Sequence, residues 1–127
     1  MAYETFYDEK IGMVRLNLKG QWGSGREFAE AVSMMNSLLD EREKRIVICD
    51  LSQGSFQSYT KEFRQSVART AKNVEIEKAA ITGASPVLRM MAKMLLAAAR
   101  TLNPELPEVR FFNLEEEALE WLKGEES

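Results

Sequence analysis

The chain has 127 residues, 45% of them hydrophobic, which suits one compact core. Its 17 basic residues are outweighed by 20 acidic ones, a net charge of -3, so no overall basic field exists to hold nucleic acid. It has no histidine and one cysteine, Cys49, which excludes an internal disulfide, a cysteine metal cluster and the commonest proton shuttle.

The opening "MAYETFYDEK" carries neither an apolar stretch nor a basic leader, so no signal peptide is expected. "YETFYDEKIGMVRLNLKG" then alternates with period two through Tyr3, Thr5 and Tyr7 and again through Val14, Leu16 and Leu18. That predicts a half-buried hairpin with its turn near Asp8 to Gly12. Gly20, Gly23 and Gly25 read as a loop. After it Phe28, Ala31, Val32, Met35 and Leu39 share one face of a helix over about 25–42.

"RIVICDL" is apolar on both faces, as a central strand covered by helices must be. Cys49 sits within it, a small buried residue and not a nucleophile, since no activating base accompanies it. Residues 51–60 read as the loop at the carboxyl end of that strand. Helical spacing resumes through Phe63, Val67 and Ala71.

"IEKAAITG" is a short strand. Ser85 as N-cap and Pro86 at the first helical position open a helix to about residue 102, because proline lacks an N–H that would be orphaned there anyway. "EVRFFN" is a last strand. "LEEEALEWLKG" is an amphipathic helix with Leu114, Ala118, Leu119 and Leu122 inward and Gly124 as its stop. The expected fold is α/β: a mixed, mostly parallel five-stranded sheet with an N-terminal β-hairpin and four helices, order ββαβαβαβα, in a single domain over 1–127.

Ligands of such sheets gather at the carboxyl ends of the strands, where helix N-termini favour anions. Two segments qualify. In the first, Ser55, Ser58 and Thr60 are candidate modification or contact residues and Tyr59 a candidate contact. A phosphate there adds about -1.5 to -2 charge, enough to make or break an interface. The competing reading is that Ser58 or Thr60 caps the next helix. In the second, Thr82, Gly83 and Ser85 are placed to touch a small anion. The competing reading is a strand exit followed by an N-cap.

The helix after it is apolar over more than one face. Arg89, Lys93 and Arg100 form a basic stripe, and Met91 and Met94 belong to a methionine-rich surface. These charges interrupt the apolar pattern too often for a membrane span. The surface reads three ways: a partner or lipid site, a buried core helix with a solvated basic edge, or a homodimer interface.

The hairpin ending "LNLKGQW", then "IVICDLS", "AAITG" and "VRFFNLEEEALEWL", each separated by a helix, resembles the STAS domain superfamily. Within it, the chain is most similar to the anti-sigma-factor-antagonist-like, or STAS/SEC14-domain, group. The resemblance covers nearly the whole chain. It implies a non-enzymatic regulatory module in the bacterial cytoplasm that binds a kinase-type anti-sigma factor and is switched by a phosphorylated serine. The family pattern runs roughly Asp-Leu-Ser, a few residues, then Asp-Ser-Ser-Gly. Laid without gaps from Asp50-Leu51-Ser52, it places Ser58 on the aspartate, Tyr59 on the phospho-serine, Thr60 on the second serine and Lys61 on the glycine. The switch serine is therefore not retained in place; with a small shift of the alignment, Thr60 or Ser58 would substitute for it. The SEC14-like side of the resemblance implies a small apolar or lipid ligand instead. No cofactor is expected, and the residues suggest neither a metal site nor a catalytic set.

Overall fold

The computed structural model describes residues 3–22, 25–56 and 60–124, and all their side chains except those of residues 21, 22, 25, 55 and 56. Strands β1 (Tyr3–Asp8), β2 (Met13–Trp22), β3 (Ile46–Phe56), β4 (Lys78–Thr82) and β5 (Glu108–Phe112) form one sheet in the order β1-β2-β3-β4-β5. β1 pairs antiparallel with β2, and every later neighbour is parallel. Helices α1 (Gly25–Leu39), α2 (Lys61–Ala71) and α3 (Pro86–Leu102) are the crossovers, and α4 (Glu115–Lys123) closes the chain.

The position of the helices follows from the strand order. Three successive parallel crossovers step one strand along in the same direction. Each is right-handed by the usual packing of twisted strands, so α1, α2 and α3 fall on one face. Val14, Leu16, Leu18, Val47 and Leu51 point to that face, against Ala31, Val32, Met35 and Leu39 of α1. Met13, Ile46, Ile48 and Ala80 point to the other face, where Ala118, Trp121 and Leu122 of α4 cover them. This alternation within "IVI" is why the strand is apolar on both sides.

One nine-residue helix cannot cover a five-stranded face. The remainder of the α4 face is polar and half-buried, with Arg15, Asn17 and Asp50. Arg15 joins Asp8 at 3.2 Å and Glu115 at 2.6 Å, which ties the hairpin to the start of α4.

Three expectations need correction. Strand β2 runs through Gly20 to Trp22, so the glycine loop starts later than the glycines suggest. Leu114 is not inward: it is exposed and occupies the N-cap of α4, while Trp121 is buried beside Phe112. The third correction concerns residues 51–60. β3 continues past Asp50, its last pairing with β4, to Phe56, and pairs Gln53–Phe56 with Lys19–Trp22. Its composition of serine and glycine argues for a loop, but a long partner strand overrides weak strand propensity. The register shifts between Asn17 and Lys19, and there a Cβ on Gly54 would lie 2.6 Å from the Cβ of Leu18. Glycine permits that close approach.

Candidate functional site

Thr60, Thr82 and Ser85, at the carboxyl end of the sheet, have local partners. Thr60 is the N-cap of α2, and its Oγ1 accepts from the Phe63 N–H at 3.0 Å. Ser85 does the same for α3, accepting from the Leu88 N–H at 3.2 Å. Thr82 is buried, and its hydroxyl donates to the Cys49 carbonyl. The Asp50 carboxylate accepts from the Ser52 N–H at 2.8 Å, curling the backbone beside Gly83. A Cβ on Gly83 would meet Asp50 Oδ1 at 2.7 Å, and its φ of 73° is left-handed. Gly83 therefore serves the close fit of two strand ends. Ser55 lies in β3, but its side chain is outside the described residues, as are Ser58 and Tyr59 altogether. Thr82, Gly83 and Ser85 lie together at one edge of the site. Thr60 opens a different helix.

Helix α3 divides its apolar residues between two stripes. Leu88, Ala92, Leu95 and Ala99 recur at four, three and four residues and turn inward, Leu88 half-buried and the other three buried. Val87, Met90, Met94 and Ala97 recur at three, four and three residues and face outward. Val87 is 62% exposed and Met90 56%, values far from those of a core helix. Met94 borders the outward groove with Met90, whereas Met91 is half-buried and borders neither that groove nor the interior cavities.

Arg89 and Lys93 flank the outward stripe, each with its cation over the Phe111 ring at 5.5 and 5.6 Å. Arg100 donates to the carbonyls of Leu106 and Pro107, pinning the turn from α3 into β5. Residues Val109, Arg110 and Phe111, which "EVRFFN" offers only as a strand, belong to this surface too. The β5 edge lies beside the basic stripe, and only the tertiary fold brings them together.

Behind α3 lies a different environment. This helix packs chiefly against α2 and only lightly against the sheet. Two adjoining cavities of about 140 Å3 each remain between the sheet and the helices. Both are bordered by Leu16, Phe28, Cys49, Ala71, Ile81 and Leu96. Cavities of about 150 Å3 with purely aliphatic and aromatic walls stay dry and accept a benzene-sized guest. Burial and the neighbouring Asp50 charge push the Cys49 thiol up to about 12, so it is protonated at neutral pH. Among the described residues no three acidic or cysteine side chains converge to hold a metal ion, and no helix is long and apolar enough to cross a membrane.

Solved structures include one of the same architecture. It is an uncharacterized protein of the DUF3478 family from Shewanella loihica PV-4, described as having a SpoIIAA-like fold. The two match with a TM-score of 0.59 over 95% of this chain and 92% of that one, at 16% sequence identity. At that identity the likeness establishes the fold, which is the fold the resemblance to anti-sigma-factor antagonists implies. No curated protein matches the sequence. A family model described as a domain of unknown function, DUF7793, matches residues 10–125, and the chain belongs to that family.

Proposed function

We propose that the chain is a non-enzymatic regulatory module of the cytoplasm that binds another protein through the outward side of α3. The observation that carries this reading is the exposed stripe of Val87, Met90 and Met94 beside Arg89 and Lys93. Apolar side chains aligned on a solvent-facing helix surface and edged by charge are the composition of a partner site. The SpoIIAA-like fold is compatible with such a role, and the resemblance implies a kinase-type anti-sigma factor as the partner class. Three features favour binding over catalysis: no histidine, a single thiol held protonated, and hydroxyls engaged as caps. With tyrosine in the phospho-serine position, control differs from the family's serine switch.

The test is affinity capture of the full chain from its own cells, with the native protein compared with a Met90→Glu, Met94→Glu variant. Both positions are solvent-facing, so circular dichroism should stay native. A stoichiometric protein retained by the native chain and lost by the variant supports the reading. Equal retention by both removes α3 as the surface.

A second reading rests on a separate observation, the apolar cavities beneath α3. These suit a small apolar ligand held against Cys49, Leu95 and Leu96. Native mass spectrometry of the same preparation tests it. A bound small molecule that disappears on filling the space with Cys49→Ile supports it, and a ligand unaffected by that change places the site elsewhere.

A further inference from the structure

Strand β5 is at the edge of the sheet and, among the described residues, pairs only with β4. Its other side therefore presents backbone N–H and C=O groups to solvent. An edge of this kind is a template for another strand unless something covers or repels it. Along this edge runs an open groove of about 530 Å3 between β5 and α3. Val109 and Phe111 form its apolar floor, and Arg89, Lys93, Arg100 and Arg110 border it, with no carboxylate among its walls. Arg110 is matched by Glu108 at 2.9 Å. For Arg89, Lys93 and Arg100 there is no acidic partner within ion-pair distance among the described residues.

This concentration of positive charge stands out in a chain whose net charge is -3. Helix α3 itself contains no acidic residue. A second copy docked through the same helix would set cation against cation, which argues against a symmetric α3–α3 dimer. The five residues of β5 span about 16 Å, the length of a short extended segment.

We infer that the groove between α3 and the β5 edge receives an extended acidic segment of a partner protein, added as a sixth strand. This rests on the protein-binding reading and names the chemistry of the partner. Main-chain hydrogen bonds to β5 hold the segment, and its carboxylates, at alternate positions, meet Arg89, Lys93 and Arg100 on the α3 side of the sheet. The stripe of Val87, Met90 and Met94 lies just across the Arg89–Lys93 ridge and extends the same surface.

The experiment uses the full chain, isotope-labelled, and a capped eight-residue peptide alternating glutamate and valine. The expected result is saturable shifts of the backbone amides at 108–112 and along 89–100, weakening as salt is raised. The variant Lys93→Glu, at an exposed position, should weaken binding about tenfold, which corresponds to about 1.4 kcal/mol. A peptide N-methylated at every residue should lose binding, because neither of its edges can then donate to the ladder. No binding at millimolar peptide overturns the inference. Equal binding of the N-methylated peptide overturns strand addition. Binding to vesicles containing phosphatidylserine but not to the peptide overturns it in favour of a membrane surface. If the peptide fails while a captured partner still depends on Met90 and Met94, the edge inference alone is lost. If the peptide binds as expected while capture ignores those methionines, the reading of α3 alone is lost.

Discussion

Helices α1 and α3 lie on the same face of one sheet, yet they are seated differently. α1 places Ala31, Val32, Met35 and Leu39 directly on β1 and β2, and Leu39 has no accessible surface. α3 sends Leu95 and Ala99 toward α2 and leaves about 140 Å3 of apolar space above β3 and β4. The outer sides differ too: α1 exposes Arg26, Glu30, Ser33 and Ser37 around a single large apolar side chain, Met34, whereas α3 exposes Val87, Met90 and Met94 in one stripe. A helix apolar on one side has one way to satisfy itself. A helix apolar on two sides leaves one in water unless a further layer covers it, and here that side stands beside Arg89 and Lys93, which have no acidic partner within ion-pair distance among the described residues.

The largest expected difference between the two regions is in stability. Leu39→Ala should cost about 2–5 kcal/mol in a urea titration, since the site is enclosed and cannot collapse freely. Met90→Ala should stay within about 0.5 kcal/mol. Similar losses at both positions would mean that α3 is as firmly buried as α1.

The cavity sharpens the comparison next. Cys49→Ile adds volume facing open apolar space and should leave stability unchanged or raise it by about 1 kcal/mol. Ile48→Phe, one residue earlier but facing α4 with no accessible surface, should destabilise by about 1–3 kcal/mol through overpacking. If both substitutions destabilise alike, the two sides of β3 are equally tight and the space under α3 is not there. The caps come third. Thr60→Ala and Ser85→Ala should each cost about 1 kcal/mol by releasing one helix N–H. A Thr60→Ala variant of native stability would free that hydroxyl for another role.

The smallest effect is in acid. Burial pushes the Asp8 carboxyl up, but the N–H groups of Lys10 and Ile11 and the Arg15 guanidinium outweigh it and hold it below 3.8. A carboxyl with a depressed folded value stabilises the fold above its unfolded value, and that contribution fades as pH falls through the folded value. The window therefore lies below about pH 4. Burial lowers the Arg15 value, and Glu115 and Asp8 raise it by more, so this side chain stays charged throughout. Asp8→Asn should flatten a small part of the acid limb of stability against pH and leave neutral pH almost unchanged, because both groups are near the surface.

What the sequence by itself determined is local. Period two in the hairpin, period 3.6 in four helices, and the Ser85-Pro86 start depend on neighbours within a few residues, and each appears where the pattern places it. The two-sided apolar character of α3 is legible for the same reason. Tertiary structure decided which stripe of α3 turns inward, because that depends on the width of the gap left beside α2. It also decided that Gln53–Phe56 is strand and not loop, since the ladder with Lys19–Trp22 supplies hydrogen bonds that serine and glycine do not advertise. Leu114 takes the N-cap position of α4 and is exposed, which its apolar spacing with Ala118 and Leu122 does not reveal. The basic groove is the clearest case. Arg89, Lys93 and Arg100 are spaced along one helix and readable as a stripe, but Val109 and Phe111 belong to a separate strand later in the chain, and only the parallel addition of β5 to β4 sets its open edge beside them.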